Sequence, residues 1–327
     1  MGEKLAKKEL SKVNTQLKRN NTSIYFLLLL VPLFWGGAFG AAKHVITEIS
    51  PITAATLRFG TAGLILLIIV LIRSDWNLEV LKKRWLGLFF MAVTGIFSYN
   101  AFFFIALEYT SAINGSLIMA TTPVFVTLGA VFFLKEAWNK RLGYGLFLSL
   151  IGVFLVIIKG SFQTLVSLSF NMGDLLFIVA LFSWVIHGLI GKVVMKGISP
   201  LFTTTVTTLI GSIFLAIWSF IEGGWDDVSS MSSQSWIEMI YMIIFATVIA
   251  FFLWNKGIHQ IGASKSSIYM NFVPINAMWI AVLFYGSTIT WQQLVGMFLV
   301  IIGVYIATFS NKIRKKKSKS RLIKQSF

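Results

Sequence analysis

No cysteine occurs in the 327 residues, charged residues make up 12% of them, and Asp and Glu together number 12. Without Cys there is neither a disulfide scaffold nor a thiolate metal site. A soluble domain carries about 25% charged residues. Half that proportion, in a chain that is 57% hydrophobic, leaves too little polar surface to cover a globule in water. The same balance excludes a disordered chain. What is there instead is apolar: about 186 positions, where a spanning helix uses roughly 20, enough for nine or ten spans. The composition is that of an all-α, polytopic integral membrane protein.

The net charge of +16 invites a nucleic-acid reading, but its distribution argues against one. Six of the 28 basic residues lie in residues 1–23 and eight in residues 311–327. Half of the positive charge therefore sits in two tails that flank apolar segments. Such tails anchor to anionic lipid headgroups on the cytoplasmic face, and no nucleic acid is needed to explain them.

Apolar runs set against turn and charge punctuation predict ten spans. They fall at about 24–42, 51–72, 85–106, 112–134, 142–158, 174–195, 200–221, 237–256, 264–285 and 291–309. With the N-terminus inside, 25 of the 28 Lys and Arg fall on the inner side, and only Lys43 and Lys159 on the outer. The remaining one, Arg58, lies within the second span. The 222–238 loop, acidic and without a basic residue, falls outside. The expected topology is thus ten transmembrane helices with both termini in the cytoplasm, in a bacterial plasma membrane.

Trp35 to Pro51 reads WGGAFGAAKHVITEISP, and Trp184 to Pro200 reads WVIHGLIGKVVMKGISP. Trp, Lys, one Gly and Ile-Ser-Pro coincide without gaps at an offset of 149. Ala112, Pro123, Gly145 and Gly152 align with Ala263, Pro274, Gly296 and Gly303 at an offset of 151. Five helices per unit is an odd number, so the second unit enters the membrane reversed. An inverted-topology repeat is a common construction of secondary transporters. The expected organisation is a basic tail (1–23), a first five-helix repeat (24–158), an extracytoplasmic linker (159–173), a second repeat (174–309) and a second basic tail (310–327).

The segments WGGAFGAAK, ISPITAATLRF and YTSAINGSLIMATTPVFVTLGAVFFLKE resemble the drug/metabolite transporter superfamily, specifically its EamA-type ten-helix members. IGASKSSIYMNFVPINAMWIAVLFYGS repeats the last block in the second half. The resemblance covers roughly residues 24–309. It implies transport of small metabolites such as amino acids or drugs, commonly export, through a central cavity between the halves. One position departs from it: the acidic residue after the fourth helix, Glu136, is matched by Ser287 in the second repeat.

Polar and ionisable groups inside a bilayer are costly and mark candidate sites. Arg58 would bind an anionic group of a substrate, or snorkel outward or pair with Glu48 or Glu108 as a structural tie. His187 would relay a proton, or rest neutral against a backbone carbonyl. No Asp or Glu lies mid-span. Tyr99, Asn100 and Asn114 on the third and fourth spans, with Trp254 and Asn255 on the eighth, form a polar and aromatic set. Thr121 precedes Pro123, while Tyr269, Asn271 and Asn276 bracket Pro274. Proline breaks at matching repeat positions point to a transport site, or bend helices for packing. Trp35 and Trp184, at equivalent places in the two halves, would line a cavity or pack a close helix crossing. The glycines of the fifth and tenth spans read as packing seams.

Two rival classes are weaker. A membrane-embedded, lipid-modifying enzyme would need clustered catalytic groups, and the chain has neither DxxD nor HExxH. ATP-driven pumping would need GxxxxGK[ST], which is absent, and no cofactor motif occurs. A channel would want a ring of symmetry-related polar residues; the matched Lys43 and Lys192 are expected on opposite membrane faces. The sequence therefore favours a carrier with a small-molecule substrate, working by alternating access.

Overall fold

The computed structural model describes residues 2–110, 115, 118–158, 171–285 and 289–324, and among these it is helical without strands. Ala112, Asn114, Lys159, Ser287 and most of the expected linker lie outside the described residues. We number the helices α1 (Gly2–Val45), α2 (Pro51–Ile72), α3 (Leu78–Tyr109), α4 (Thr122–Leu134), α5 (Lys140–Ile157) and α6 (Met172–Val194). They continue with α7 (Pro200–Glu222), α8 (Ser233–Ile261), α9 (Val273–Tyr285) and α10 (Trp291–Lys324). Seven stretches among the described residues are long and apolar enough to cross a membrane: Ser23–Val45 of α1, then α2, α3, α5, α6, α7 and α8. Thr122–Leu134 and Trp291–Ala307 are shorter apolar helices. The molecule is thus an α-helical membrane protein.

The repeated Ile-Ser-Pro has a local cause. Ser50 and Ser199 cap α2 and α7, each hydroxyl accepting from the backbone N–H three residues on, at 3.2 and 3.4 Å. Pro51 and Pro200 occupy the first helical position, where no amide hydrogen is needed. The repeated lysines also have one. Lys43 donates to the carbonyl of Leu107 at the end of α3, and Lys192 donates to that of Ile258 at the end of α8, at 3.3 Å. Each ammonium sits at carbonyls of a helix's last turn, the end where positive charge is favoured.

The packing follows the repeat. The principal pairs are α1 with α8 and α9, α6 with α3 and α4, α2 with α7 and α8, α3 with α7, and α5 with α10. Exchanging each of the first five helices with its counterpart among the second five returns the same set. At the α5–α10 crossing, a Cβ added to Gly145 would stand 2.4 Å from the Gly303 carbonyl, and one added to Gly152 2.5 Å from that of Gly296. Backbones this close require glycine, so the expected seam is present, and close backbone approach is how helices associate in lipid. Gly143 is different, since it faces the Trp138 ring.

Two departures from regular helix matter for the site. α3 widens into a π-helical turn at Val93–Ser98, and α8 does the same at Ile244–Ile249, 151 positions later. The side-chain amide of Asn100 donates to the Gly95 and Ile96 carbonyls at 3.3 and 2.8 Å. The hydroxyl of Thr247 donates to Met242, five residues back, at 2.9 Å. Such turns release backbone carbonyls from the helical ladder and occur frequently at functional sites. The ninth expected span is also broken: Ala263–Ser267 runs into a 3-10 turn at Ile268–Phe272 before α9. Pro123 and Pro274 each fall in the first turn of the helix after an interruption, where proline costs no hydrogen bond.

Candidate functional site

A cavity lies where α1, α2, α3 and α8 meet the broken segment before α9. α1 contributes Trp35 and Phe39, α2 Arg58, α3 Tyr99, Asn100 and Phe103, and α8 Phe251. Met119 and Met270 close it from the interrupted segments, and Pro274 from the first turn of α9. Its empty volume is about 640 Å³, including the part open at its mouth. Its lining, mostly apolar and aromatic with a few polar groups, has the chemical character of small-molecule sites.

Arg58 is the only charged side chain in this lining, and its side chain is 95% removed from solvent, with a relative exposure of 5%. Its Nε donates to Thr247 Oγ1 at 2.8 Å, and its Nη2 to the Ala246 carbonyl at 3.3 Å. Both partners belong to the π-helical turn of α8, which explains why that carbonyl is available. Neither Glu48 nor Glu108 is an ion-pair partner of Arg58 among the described residues. Glu48 is instead occupied by the backbone N–H and hydroxyl of Ser232, both at 2.7 Å. Arg58 Cζ also lies 4.8 Å from the centroid of the Phe59 ring, a cation–π contact.

The Trp35 indole N–H donates to the same Ala246 carbonyl at 2.9 Å. The Trp35 ring meets Trp184, Phe251 and Trp254 at centroid distances of 5.4, 5.6 and 5.5 Å. Trp184 stacks on Trp254 at 5.6 Å and on His187 at 5.1 Å, and tilts against Tyr99 at 4.8 Å. The two repeat-matched tryptophans therefore touch, Trp35 on the cavity wall and Trp184 behind it.

The remaining sequence candidates lie apart from the lining. His187 is fully buried and its Nδ1 donates to the Met91 carbonyl at 3.0 Å. It fills the space that the absent side chain of Gly95 leaves. Thr121 donates to the Ile118 carbonyl just before α4. Asn271 donates to Ser149 of α5 at 2.7 Å, tying the broken segment to the bundle. Asn276 donates to the Phe272 carbonyl at the end of the 3-10 turn that precedes α9, and packs on Gly36. Tyr269 is buried with its ring 6.3 Å from that of Phe272.

Sequence reasoning brings Trp35, Arg58, Tyr99, Asn100 and Pro274 to the wall and misses Phe39, Phe103, Phe251 and Met270. With 30 phenylalanines in the chain, residue type alone distinguishes none of those rings from lipid-facing ones. Thr247 and the Ala246 carbonyl were missed because a backbone oxygen freed by a π-helical turn has no residue-type signal. Among the described residues no group of three or more His, Asp or Glu is arranged to hold a metal ion.

Apolar helices around a cavity whose lining holds one charged side chain, Arg58, describe a membrane protein with a candidate small-molecule site. Residues 22–158 and 171–309 each match the EamA-like transporter family, and the chain belongs to that family, within the drug/metabolite transporter superfamily. It is 35% identical over 299 residues to an uncharacterized transporter of Bacillus subtilis, YyaM, covering 91% of this chain and 98% of that one. A protein of Salmonella typhimurium named "Probable amino-acid metabolite efflux pump" is 26% identical, covering 89% of this chain and 96% of its own. A solved crystal structure superposes with a TM-score of 0.72 at 17% identity, over 88% of this chain and 97% of that one, which shows a shared fold.

Proposed function

We propose that the chain is a secondary transporter that exports small organic metabolites by alternating access of two inverted five-helix repeats, residues 24–158 and 174–309. In this reading it crosses the plasma membrane ten times, with both basic tails on the cytoplasmic face against anionic headgroups. The observation that carries it is the cavity with its buried Arg58, lined from helices of both repeats. Alternating access requires a site at such an interface between halves. The naming of the Salmonella relative as an efflux pump favours export.

The bonds between loops support the topology. Glu48 meets Ser232, and His44 meets Glu238 at 2.7 Å. Asp174 accepts from Thr110 at 2.8 Å. All of these join segments assigned to the outer side by charge counting. Ser199 donates to Asp75, and Glu136 accepts from Ser264 at 2.6 Å, joining segments assigned to the inner side. No step of this cycle calls for a cofactor.

The test is counterflow and exchange in proteoliposomes holding the purified chain, against labelled amino acids, purine derivatives, organic acids and cationic drugs, with and without a pH gradient. Saturable, protein-dependent exchange of one class is the expected result. No flux of any compound, with monodisperse protein, would remove the carrier reading.

A further inference from the structure

We infer that the cavity takes an organic monocarboxylate with a flat apolar body, held end-on by the Arg58 guanidinium, and that it makes no provision for an ammonium group. This deepens the transport reading of the same cavity and rests on it. The guanidinium is planar, with five N–H donors in a fixed fork. Thr247 and Ala246 take the Nε/Nη2 edge. No described residue accepts a hydrogen bond from Nη1. The Nη1/Nη2 edge, two parallel N–H groups, is the one left to the cavity, and that geometry matches both oxygens of a carboxylate.

The charge balance points the same way. A buried charge is expensive unless it is paired, and Arg58 has no carboxylate partner among the described residues. Five of the chain's twelve acidic groups are engaged near helix ends: Glu48 with Ser232, Asp75 with Ser199, Glu136 with Ser264, Asp174 with Thr110 and Glu238 with His44. None lines the cavity. A bound anion would neutralise Arg58. The ammonium of an amino acid would lose its hydration without an anionic partner and would stand near a like charge. The walls supply the rest of the specificity. The rings of Trp35, Phe39, Tyr99, Phe103 and Phe251 suit a flat apolar body, and two of them are pinned: Trp35 by its bond to Ala246, and Phe39 edge-to-face on Phe103 at 4.9 Å.

Three compounds share one body and differ only in charge: 3-phenylpropanoate carries the carboxylate, 2-phenylethylamine the ammonium, and phenylalanine both. Equilibrium binding of each, radiolabelled, to the purified full-length protein in detergent at pH 7 tests the inference. Saturable binding of 3-phenylpropanoate is expected, with phenylalanine at least tenfold weaker and phenylethylamine unbound. Arg58→Gln should abolish the binding. Arg58→Lys, which keeps the charge and loses the fork, should weaken it at least tenfold, and it carries the test where Arg58→Gln does not yield monodisperse protein. The inference is overturned if phenylalanine binds as tightly as the acid, if the amine binds, if none of the three binds, or if Arg58→Lys leaves the acid's affinity unchanged. Counterflow of some other compound alongside any of those results leaves the transport reading standing. Absence of all flux removes that reading instead.

Discussion

The indole nitrogen of Trp35 donates a 2.9 Å hydrogen bond to the carbonyl of Ala246, 211 positions further along the chain. That bond ties the first helix of one half to the π-helical turn of the other, and the same oxygen receives Arg58. One released carbonyl thus orients both the aromatic wall and the cation of the cavity. Trp35→Phe keeps a ring in place and removes the donor. We expect it to cost about 1 kcal/mol, the net worth of a typical buried hydrogen bond, read as a lowered midpoint of thermal unfolding in detergent.

Thr247 is the other anchor of the guanidinium. Thr247→Val conserves shape but leaves a buried, charged N–H unpaired, for which a loss of about 1.5–3 kcal/mol is expected. A double-mutant cycle with Arg58→Gln checks the assignment. The two effects should be strongly non-additive, and additivity would place Thr247 outside the Arg58 network.

Glycine is required at Gly95 and dispensable at Gly188. A Cβ on Gly95 would stand 2.0 Å from His187 Nδ1, whereas one on Gly188 meets nothing within 4 Å. Gly95→Ala should destabilise by about 1–3 kcal/mol or fail to fold, because the His187 ring it would meet is fully buried and stacked on Trp184. Gly188→Ala should leave expression and the unfolding midpoint unchanged or slightly raised. Size-exclusion profiles of the two variants distinguish the cases.

The lack of native cysteine makes sidedness directly measurable. Ser229→Cys lies in the exposed turn between α7 and α8, and Trp138→Cys in the exposed connection between α4 and α5. In intact cells an impermeant maleimide should label the first and reach the second only after permeabilisation. The opposite pattern would invert the proposed topology.

Glu48 gives the α1–α2 loop a pH dependence. Hydrogen bonds from the Ser232 backbone, then from its hydroxyl and that of Ser235, hold its carboxyl below the ordinary value of 4.5. A folded-state pKa below the unfolded one adds stability that is present above about 4.5 and lost as pH falls through the depressed value. Glu48→Gln should therefore lower the unfolding midpoint at neutral pH, and the gap from the parent should close in acid. A gap constant from pH 7 to pH 3 would show that the carboxylate charge is not what Ser232 recognises.

Composition and periodicity by themselves determined that this is a helical membrane protein, and motifs recurring in both halves of the sequence carried the family resemblance. The physical reason is local: apolar runs must be helical in lipid because every backbone group needs an internal partner, and the Ser-Pro caps act within a single turn. Arg58 and Trp35 were legible as candidates because a cation or an indole beside glycines is conspicuous in an apolar span. Only the tertiary structure decided which candidates share a cavity. It separated Trp35 from Trp184 into wall and support, assigned Asn271 to Ser149 and His187 to Met91, and placed the Ala246 carbonyl where two side chains meet. Those outcomes depend on contacts between helices up to some two hundred residues apart, and on a π-helical turn that frees an oxygen without altering any residue's type.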